Sequence, residues 1–539
     1  MGLPLYLYPQ QPANQSVHLS YTTIAMQKVM LTIFWGLVSM LSLAQSKVLL
    51  NADQATTQIN KHIYGHFAEH LGRCIYDGIY VGDNNTKIPH TEGVRKDVIK
   101  ALKDLQIPNL RWPGGCFADT YHWKDAIGPK NKRKPIENMT WGNIREDNSF
   151  GTHEFLNLCE LLGAEPYLAT NMNTGTVQEA VDWVQYTNHA NGTSYLTDMR
   201  SENGRSKPWH VKYWGIGNES WDCGGNMSVD YYLNLYKQYA TAMTTYSNTE
   251  KLFRIAVGPG NPSQYHWTEE IMKNLPARRF EGISIHHYSV IDWSKKGSSS
   301  KFSDEEYFKT MQQAWFMEEF VRKNSEMMDK YDPQKRVALI VDEWGGWYET
   351  DPEGKGQLYQ QNTIRDAMIA GLTLNIFNNH ADRVRMANLA QTVNVLQSVI
   401  LTKEDKMVLT PTYHVMEMYK VHQDALLVPT EVISDDFVLN GKRIPAVSVS
   451  ASIDGSGKMH VSLTNIDNTN KQQVAIDIKG YKAAKVSGKI LTSAKVQEGN
   501  TFENATKVTP QAFNDASFSN NGLVVNMPAN SVVVLELLK

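Results

Sequence analysis

Cysteine is scarce in this chain: four in 539 residues, with no Cys-x-x-Cys spacing among them. So few exclude a disulfide-built scaffold. Cys74, Cys116, Cys159 and Cys223 are expected as separate structural thiols; export would permit a bridge, but spacing assigns none. An excess of either charge is also missing. A formal net charge of −3 gives no electrostatic case for nucleic acid or an anionic membrane as partner. Long apolar runs are lacking too. The longest, at 29–43, is too short for a comfortable bilayer span.

What is present is ordinary globular composition, 42% hydrophobic and 20% charged, in a chain too long for one core. Two domains are expected. The 13 Trp and 25 Tyr suit a protein that stacks on sugar faces, although large cores use aromatics as well. The apolar run follows Met26-Gln27-Lys28 and ends in the small residues of Ser42-Leu43-Ala44. This reads as a signal peptide cleaved after Ala44, which leaves Gln45 first and places the protein in the periplasm or outside the cell. Residues 1–25 contain no Lys or Arg and fit no leader region, so translation is expected to start at Met26.

Eight short apolar runs then appear, at 62–65, 109–112, 166–169, 212–217, 254–258, 282–286, 338–342 and 385–388. Stretches with helical spacing lie between them, at 94–105, 154–162, 177–187, 231–243 and 305–328. Strand–helix alternation of this kind predicts an α/β fold, a (β/α)8 barrel over 61–410. After about Asp424 the periodicity changes to short alternating runs, at 446–453, 459–466, 473–478, 485–491, 523–527 and 531–538. Turn strings such as Asp454-Gly455-Ser456-Gly457 separate them. That pattern predicts an antiparallel β-sandwich over 411–539. Residues 47–51, within a 45–60 segment, also look strand-like and are expected to join the sandwich.

The chemistry-bearing strings follow the expected barrel strands, at the end where such barrels keep their sites. Gly215-Ile216-Gly217-Asn218-Glu219 and Val341-Asp342-Glu343-Trp344-Gly345 each end an apolar run in a glutamate. Glu69, Cys116, Asn171, His286, Tyr288, Asn388 and Gln391 fall at corresponding places after other strands. A single strand-end acid has a plain alternative, in which it simply meets solvent. Many polar groups converging on one barrel mouth are harder to explain by packing or by solubility. Two glutamates on the fourth and seventh strands suit glycosidic bond cleavage, with a proton donor and a nucleophile about 5–5.5 Å apart if configuration is retained. Asn218 would hold a sugar hydroxyl, and Tyr288 would hydrogen-bond and orient the nucleophile.

His66-x-x-Glu69-His70 matches the spacing of a zinc-peptidase helix. Gly65 and Gly72 bracket it, and it leaves a short strand, so a helix placing both histidines on one metal is not expected. A zinc hydrolase using His66 and His70 is the weaker alternative. The triplet Asn218-Glu219-Ser220 is not read as a glycosylation site.

Residues 63–72, 109–115, 214–219, 342–344, 387–394 and 411–415 together resemble the α-L-arabinofuranosidases of glycoside hydrolase family 51, and the likeness runs from about Lys47 to Lys539. The resemblance implies a TIM barrel with a jelly-roll-like sandwich, and a retaining exo-glycosidase. Such an enzyme removes terminal α-L-arabinofuranosyl units from arabinan, arabinoxylan and arabino-oligosaccharides. It implies Glu219 as acid/base, Glu343 as nucleophile, and Glu69, Asn218, His286, Tyr288 and Gln391 in the arabinose subsite. Trp141 would cover the sugar, and Cys116 stands where many relatives have Asn, as a weaker hydrogen-bond partner. No metal or organic cofactor is expected, because two carboxyls supply both proton and nucleophile. Relatives of this kind are often hexamers. An endo-acting β-glucanase of the same family is the alternative within glycosidases.

Overall fold

The computed structural model describes residues 46–246, 251–276, 278–352, 357–519 and 522–539. The expected start at Met26 and cleavage after Ala44 lie outside the described residues.

Eight strands form a closed barrel: Gly65–Phe67, Asn109–Trp112, Glu165–Thr170, Tyr213–Ile216, Phe253–Val257, Gly282–Ser289, Ala338–Gly346 and Val384–Ala390. Each pairs in parallel with the next, and the eighth closes on the first through Asn388 opposite Gly65. Parallel strands covered on both faces must be apolar nearly throughout. Tyr213–Ile216 and residues 338–341 are accordingly apolar and buried at every position.

Helices pack outside. Lys96–Leu105 turns Val98, Ile99, Leu102 and Leu105 inward, and Gln106 ends it in the left-handed conformation. Asp304–Tyr331 starts at a capping box in which Ser303 and Glu306 satisfy each other's backbone N–H groups. Ile364–Asn379 is buried on every side, because the sandwich covers the face that the barrel does not. Its Asn375 donates to the Ser448 carbonyl at 3.1 Å and its Asn378 to Ser450 Oγ at 3.1 Å, both in the sandwich. Gly371 is required there: a Cβ would come within 2.5 Å of Thr464 Oγ1.

The sandwich has a five-stranded and a six-stranded sheet. Ser46–Asn51 lies in the first, parallel to Gln472–Lys479 and antiparallel to Thr430–Ile433, so the start of the described chain joins the C-terminal strands. Among the described residues, no helix is long and apolar enough to cross a membrane.

Two elements differ from the expectation in ways that matter for the site. Residues 61–64 are not strand but a 3-10 turn, Lys61–Tyr64, and the first strand begins at Gly65. Asn60 Oδ1 accepts from His62 N at 3.0 Å, and Asn109 Nδ2 donates to the His62 carbonyl at 3.1 Å, so side chains satisfy the backbone that a sheet would have paired. The seventh strand does not stop at Asp342. It runs to Gly346, and its pairing with the sixth slips between Ser284 and His286, which sets His286 opposite Glu343.

Candidate active site

The register places the seventh-strand glutamate first. Glu343 Oε1 accepts from Arg111 Nη1 at 2.8 Å, and Oε2 accepts from the Tyr288 hydroxyl at 2.7 Å. Arg111 comes from the second strand and is fully buried among barrel side chains. It also donates to Asn218 Oδ1 at 2.6 Å and stacks on the Phe67 ring. Burial alone would lower its pKa, but the carboxylates of Asp342 and Glu343 outweigh burial and raise it. Asp342 in turn accepts from the Tyr167 hydroxyl at 2.7 Å. Burial pushes its carboxyl up, yet Arg111 and His286 hold it below the usual carboxylate range. One buried cation therefore fixes both a glutamate and an asparagine. Removing one partner of such a buried set costs about 3–5 kcal/mol.

Glu219 is built differently. It sits three residues beyond its strand at φ 38°, in the left-handed region that side chains rarely adopt. The preceding Gly217 is also left-handed, at φ 85°, where glycine carries no Cβ penalty. Asp119 anchors this turn. Its carboxylate accepts from Asn218 N at 3.0 Å and Met172 N at 2.7 Å, joining the loops after the second, third and fourth strands. Backbone strain held by surrounding contacts is a mark of functional sites. Burial raises the Glu219 pKa, and His286 works against that rise.

His286 links the two glutamates. Its Nδ1 lies 2.8 Å from Glu219 Oε1 and 3.6 Å from Glu343 Oε2, while Nε2 lies 3.1 Å from Asp342 Oδ1. Burial lowers its pKa, but Glu343 and Asp342 overcome this and lift it to about 10, so the charged imidazolium is favoured among the three carboxyls. One oxygen of Glu219, one of Glu343 and one ring nitrogen of His286 all lie within 4.8 Å of one another. Carboxyl groups this close match the separation of about 5–5.5 Å used with a nucleophile, and leave no room for the water of about 6.5–9.5 Å sites.

These groups line a cavity of about 780 Å³ together with Glu69, Cys116, Trp141 and Gln391. Glu69 Oε1 accepts from Gly115 N at 2.9 Å and Trp141 Nε1 at 3.0 Å, and Oε2 accepts from Gln391 Nε2 at 2.7 Å. Burial, reinforced by Glu343, raises its pKa to about 7. Asn218 lies behind the wall, buried, with its Nδ2 unpaired. Gln391 Oε1 is unpaired as well.

Eight of the residues singled out in the sequence thus line one cavity, and Asn218 lies just behind it; Asn171 and Asn388 do not line it, Asn171 donating to the Tyr121 carbonyl and Thr174 Oγ1 and Asn388 to the His66 carbonyl and Asn109 Oδ1. Arg111, Asp342, Tyr167 and Asp119 belong to the same network but were assigned no part. Arg111 and Asp342 lie inside the quoted strings, and a charge inside an apolar strand was the available signal. Nothing in sequence marks Tyr167 or Asp119.

The cysteine expectation is corrected for two of the four. Cys116 and Cys223 form a disulfide, with Cα atoms 5.5 Å apart. Spacing could not reveal it, because 107 residues separate them and only barrel closure brings the second and fourth loops together. Cys116 is therefore not the weak hydrogen-bond donor expected of a thiol. Cys74 and Cys159 are free and buried. His66 and His70 do not share a metal geometry. His66 is on the first strand, and His70 Nδ1 pairs with Glu146 at 2.7 Å.

Gly115 passes so close to the pair that an added Cβ would stand 2.6 Å from Glu343 Oε1. Gly115→Ala must displace that carboxylate from Arg111. Displacements of this size cost on the order of 10²-fold in rate. Steady-state kinetics should show that loss, with a lowered melting temperature beside it; unaltered kcat/KM would show the carboxylate's placement to be immaterial.

Two family models match: the alpha-L-arabinofuranosidase 1 domain over residues 101–307 and the alpha-L-arabinofuranosidase C-terminal domain over 342–531. The chain is similar to an intracellular exo-alpha-L-arabinofuranosidase of Bacteroides ovatus, 47% identical over 503 residues that cover 93% of this chain and 97% of the relative. It is 31% identical to alpha-L-arabinofuranosidase C of Emericella nidulans over 450 residues, 80% of this chain and 86% of that one. The crystal structure of the GH51 arabinofuranosidase from Xanthomonas axonopodis pv. citri superposes with a TM-score of 0.89 at 42% identity, covering 92% of this chain and 100% of that one. An arabinose complex of the Thermotoga maritima alpha-L-arabinofuranosidase gives 0.79 at 31% identity, covering 92% and 100%.

The Bacteroides ovatus relative, matched over nearly its whole length, is intracellular by name, and this overturns the expected secreted or periplasmic location. A charged start at 26–28, an apolar run at 29–43 and small residues at 42–44 made this segment look like a leader.

Proposed function

The chain belongs to the α-L-arabinofuranosidases of glycoside hydrolase family 51, and from that premise we propose how its pocket cleaves an arabinofuranoside. The close carboxyl pair carries the reading. Glu343, oriented by Arg111 and Tyr288, attacks the anomeric carbon of a terminal arabinofuranosyl unit. Glu219 gives its proton to the departing glycosidic oxygen. His286 occupies Glu219 Oε1, which leaves Oε2 to carry that proton. The glycosyl–Glu343 ester is then opened by water, from which Glu219 recovers a proton. Two inversions leave the anomeric configuration retained.

Glu69, Gln391 and Asn218 serve the sugar hydroxyls. The unpaired Gln391 Oε1 and Asn218 Nδ2 are buried polar atoms whose partners come with the substrate. Trp141, held by its hydrogen bond to Glu69, covers the sugar ring. The cavity is larger than one pentose needs. From Tyr288 an aromatic path leads outward, with Trp347 at 4.9 Å between ring centroids and Trp293 a further 5.5 Å on, at the rim. Trp293 is 61% exposed, an unusual position for a large apolar ring unless something covers it in use. It is suited to stack on the next sugar of an arabinan or arabinoxylan chain.

Trp293→Ala is accordingly expected to lower kcat/KM on arabino-oligosaccharides about tenfold, the equivalent of about 1.4 kcal/mol. Turnover of methyl α-L-arabinofuranoside, which does not reach the rim, should be unaffected. Equal losses on both substrates would remove Trp293 from polymer binding.

The reading as a whole is tested with 4-nitrophenyl α-L-arabinofuranoside beside the β-glucoside, β-xyloside and α-arabinopyranoside, and with arabinan by product size. Selective furanoside hydrolysis, unaffected by EDTA, with arabinose as the sole polymer product, is expected. Folded protein that released oligosaccharides from a β-glucan and ignored the furanoside would overturn it.

A further inference from the structure

The disulfide stands against the acid/base. Cys223 Sγ is 3.6 Å and Cys116 Sγ 4.0 Å from Glu219 Oε2. Neither contact is a hydrogen bond, because a disulfide sulfur carries no proton to donate. A half-buried carboxylate oxygen facing two sulfurs gains little from them in this state. Three potential ligand atoms, one from each of Cys116, Glu219 and Cys223, lie within 4.8 Å of one another.

We propose that reduction of the Cys116–Cys223 bridge turns this wall of the pocket into a site for one thiophilic divalent cation of the zinc type. The cation is held by both sulfurs and by Glu219 Oε2, and it takes the acid/base out of service. The inference rests on the acid/base reading of Glu219 for its effect on turnover, though not for the binding itself.

Distances fit the ion. Zinc binds thiolate sulfur at about 2.3 Å and carboxylate oxygen at about 2.1 Å, so on a tetrahedral ion sulfur and oxygen sit roughly 3.6 Å apart. The separations present are 3.6 and 4.0 Å. The two sulfurs would part to roughly 3.8 Å. Cα atoms 5.5 Å apart accommodate that by side-chain rotation. Two thiolates and a carboxylate select a borderline-soft ion over calcium or magnesium. The fourth position opens on the cavity and is left to water. Glu219 Oε1 stays with His286, so the cation engages only the oxygen that faces the sulfurs.

The site is within reach of a reductant. Cys116 lines the cavity, and both bridge residues are partly exposed, whereas Cys74 and Cys159 are buried and do not compete. A small dithiol supplies the electrons. Its thiolate attacks one bridge sulfur and displaces the other, and its second thiol closes on the mixed disulfide and leaves as a cyclic disulfide. Two electrons pass to the cysteines, which take up two protons. The cation displaces both protons to solvent on binding. With Oε2 on the metal, Glu219 has no proton to give the leaving oxygen.

The test uses the whole chain, oxidised or reduced with dithiothreitol and then freed of reductant under nitrogen. Equilibrium dialysis against zinc, and titration with cobalt(II) followed by its thiolate charge-transfer absorption, read binding without reference to activity. One ion per chain with a thiolate band is expected after reduction, and none before. Hydrolysis of the nitrophenyl arabinofuranoside by reduced protein should fall at least tenfold on adding zinc and return with EDTA, while oxidised protein shows no response. Cys223→Ser and Cys116→Ser, each compared with and without zinc, should lose the tight ion and the inhibition. Absence of binding to the reduced chain, equal binding by the oxidised chain, or binding retained by both serine variants would overturn the site. An ion bound with turnover unchanged would overturn the inhibition alone. In that case a fully active Glu219→Ala variant would trace the fault to the acid/base reading.

Discussion

Glu343→Gln is expected to lower kcat on every arabinofuranoside by at least about 10⁴-fold, since loss of a nucleophile that acts with its partners as a unit forfeits most of the acceleration. The substitution is nearly isosteric. The amide oxygen can still accept from Arg111 Nη1 or from the Tyr288 hydroxyl, the two donors that fix the carboxylate now. The amide NH₂ must then face one of them, and Arg111 keeps its ties to Asp342 and Asn218. The fold should survive, with a modest fall in melting temperature, so the loss of turnover reads chemistry. Substrate binding should persist, because Glu69, Gln391 and Trp141 hold one another without Glu343. An enzyme that kept a tenth of its turnover, free of wild-type contamination, would remove Glu343 from the reaction.

Glu219→Ala should divide the reaction in two. Loss of a general acid costs about 10²–10⁴-fold where the leaving group needs a proton. Natural arabinosides, whose leaving alcohols are poor, should lose that much. A dinitrophenyl arabinofuranoside leaves without help, so its first step should proceed nearly as before and a glycosyl–enzyme should accumulate. Azide, which needs no general base, should release it as arabinofuranosyl azide. The pH profile should change in a defined direction. Burial raises the Glu219 pKa above that of an ordinary glutamate. Its acidic form therefore persists to higher pH, and wild-type kcat/KM falls as pH rises through that value. In Glu219→Ala this basic limb should vanish for the dinitrophenyl substrate. A basic limb unmoved by the substitution would assign it to another group.

Much of this was legible because burial leaves its mark on a parallel strand. Runs such as 213–216 and 338–341 carry no polar alternation, and the glutamate that closely follows each stands out against it. The sandwich was legible for the opposite reason. Gln472–Lys479 alternates buried and exposed residues, as a sheet with one wet face must. Lateral relations were not legible. Arg111 reaches Asn218 and Glu343 across the barrel, over 107 and 232 positions of sequence, and no local pattern records a partner at that range. The same holds for Cys116 and Cys223. The slip in pairing that sets His286 opposite Glu343 is a property of two strands together, and neither string betrays it. Residues 62–64 were misread because an apolar pair beside a glycine resembles a strand start, while the capping of His62 by Asn60 depends on the turn already being formed.

The account stands most directly on the two carboxyls acting at short range, as acid/base and as nucleophile. Proton NMR of a reaction with a nitrophenyl arabinofuranoside, recorded before the free sugar equilibrates, reads the configuration of the first product. The account requires α-L-arabinofuranose to appear first, with the β form growing in later. First release of the β-anomer would mean a single displacement by water and would contradict the assignment of Glu343 as nucleophile.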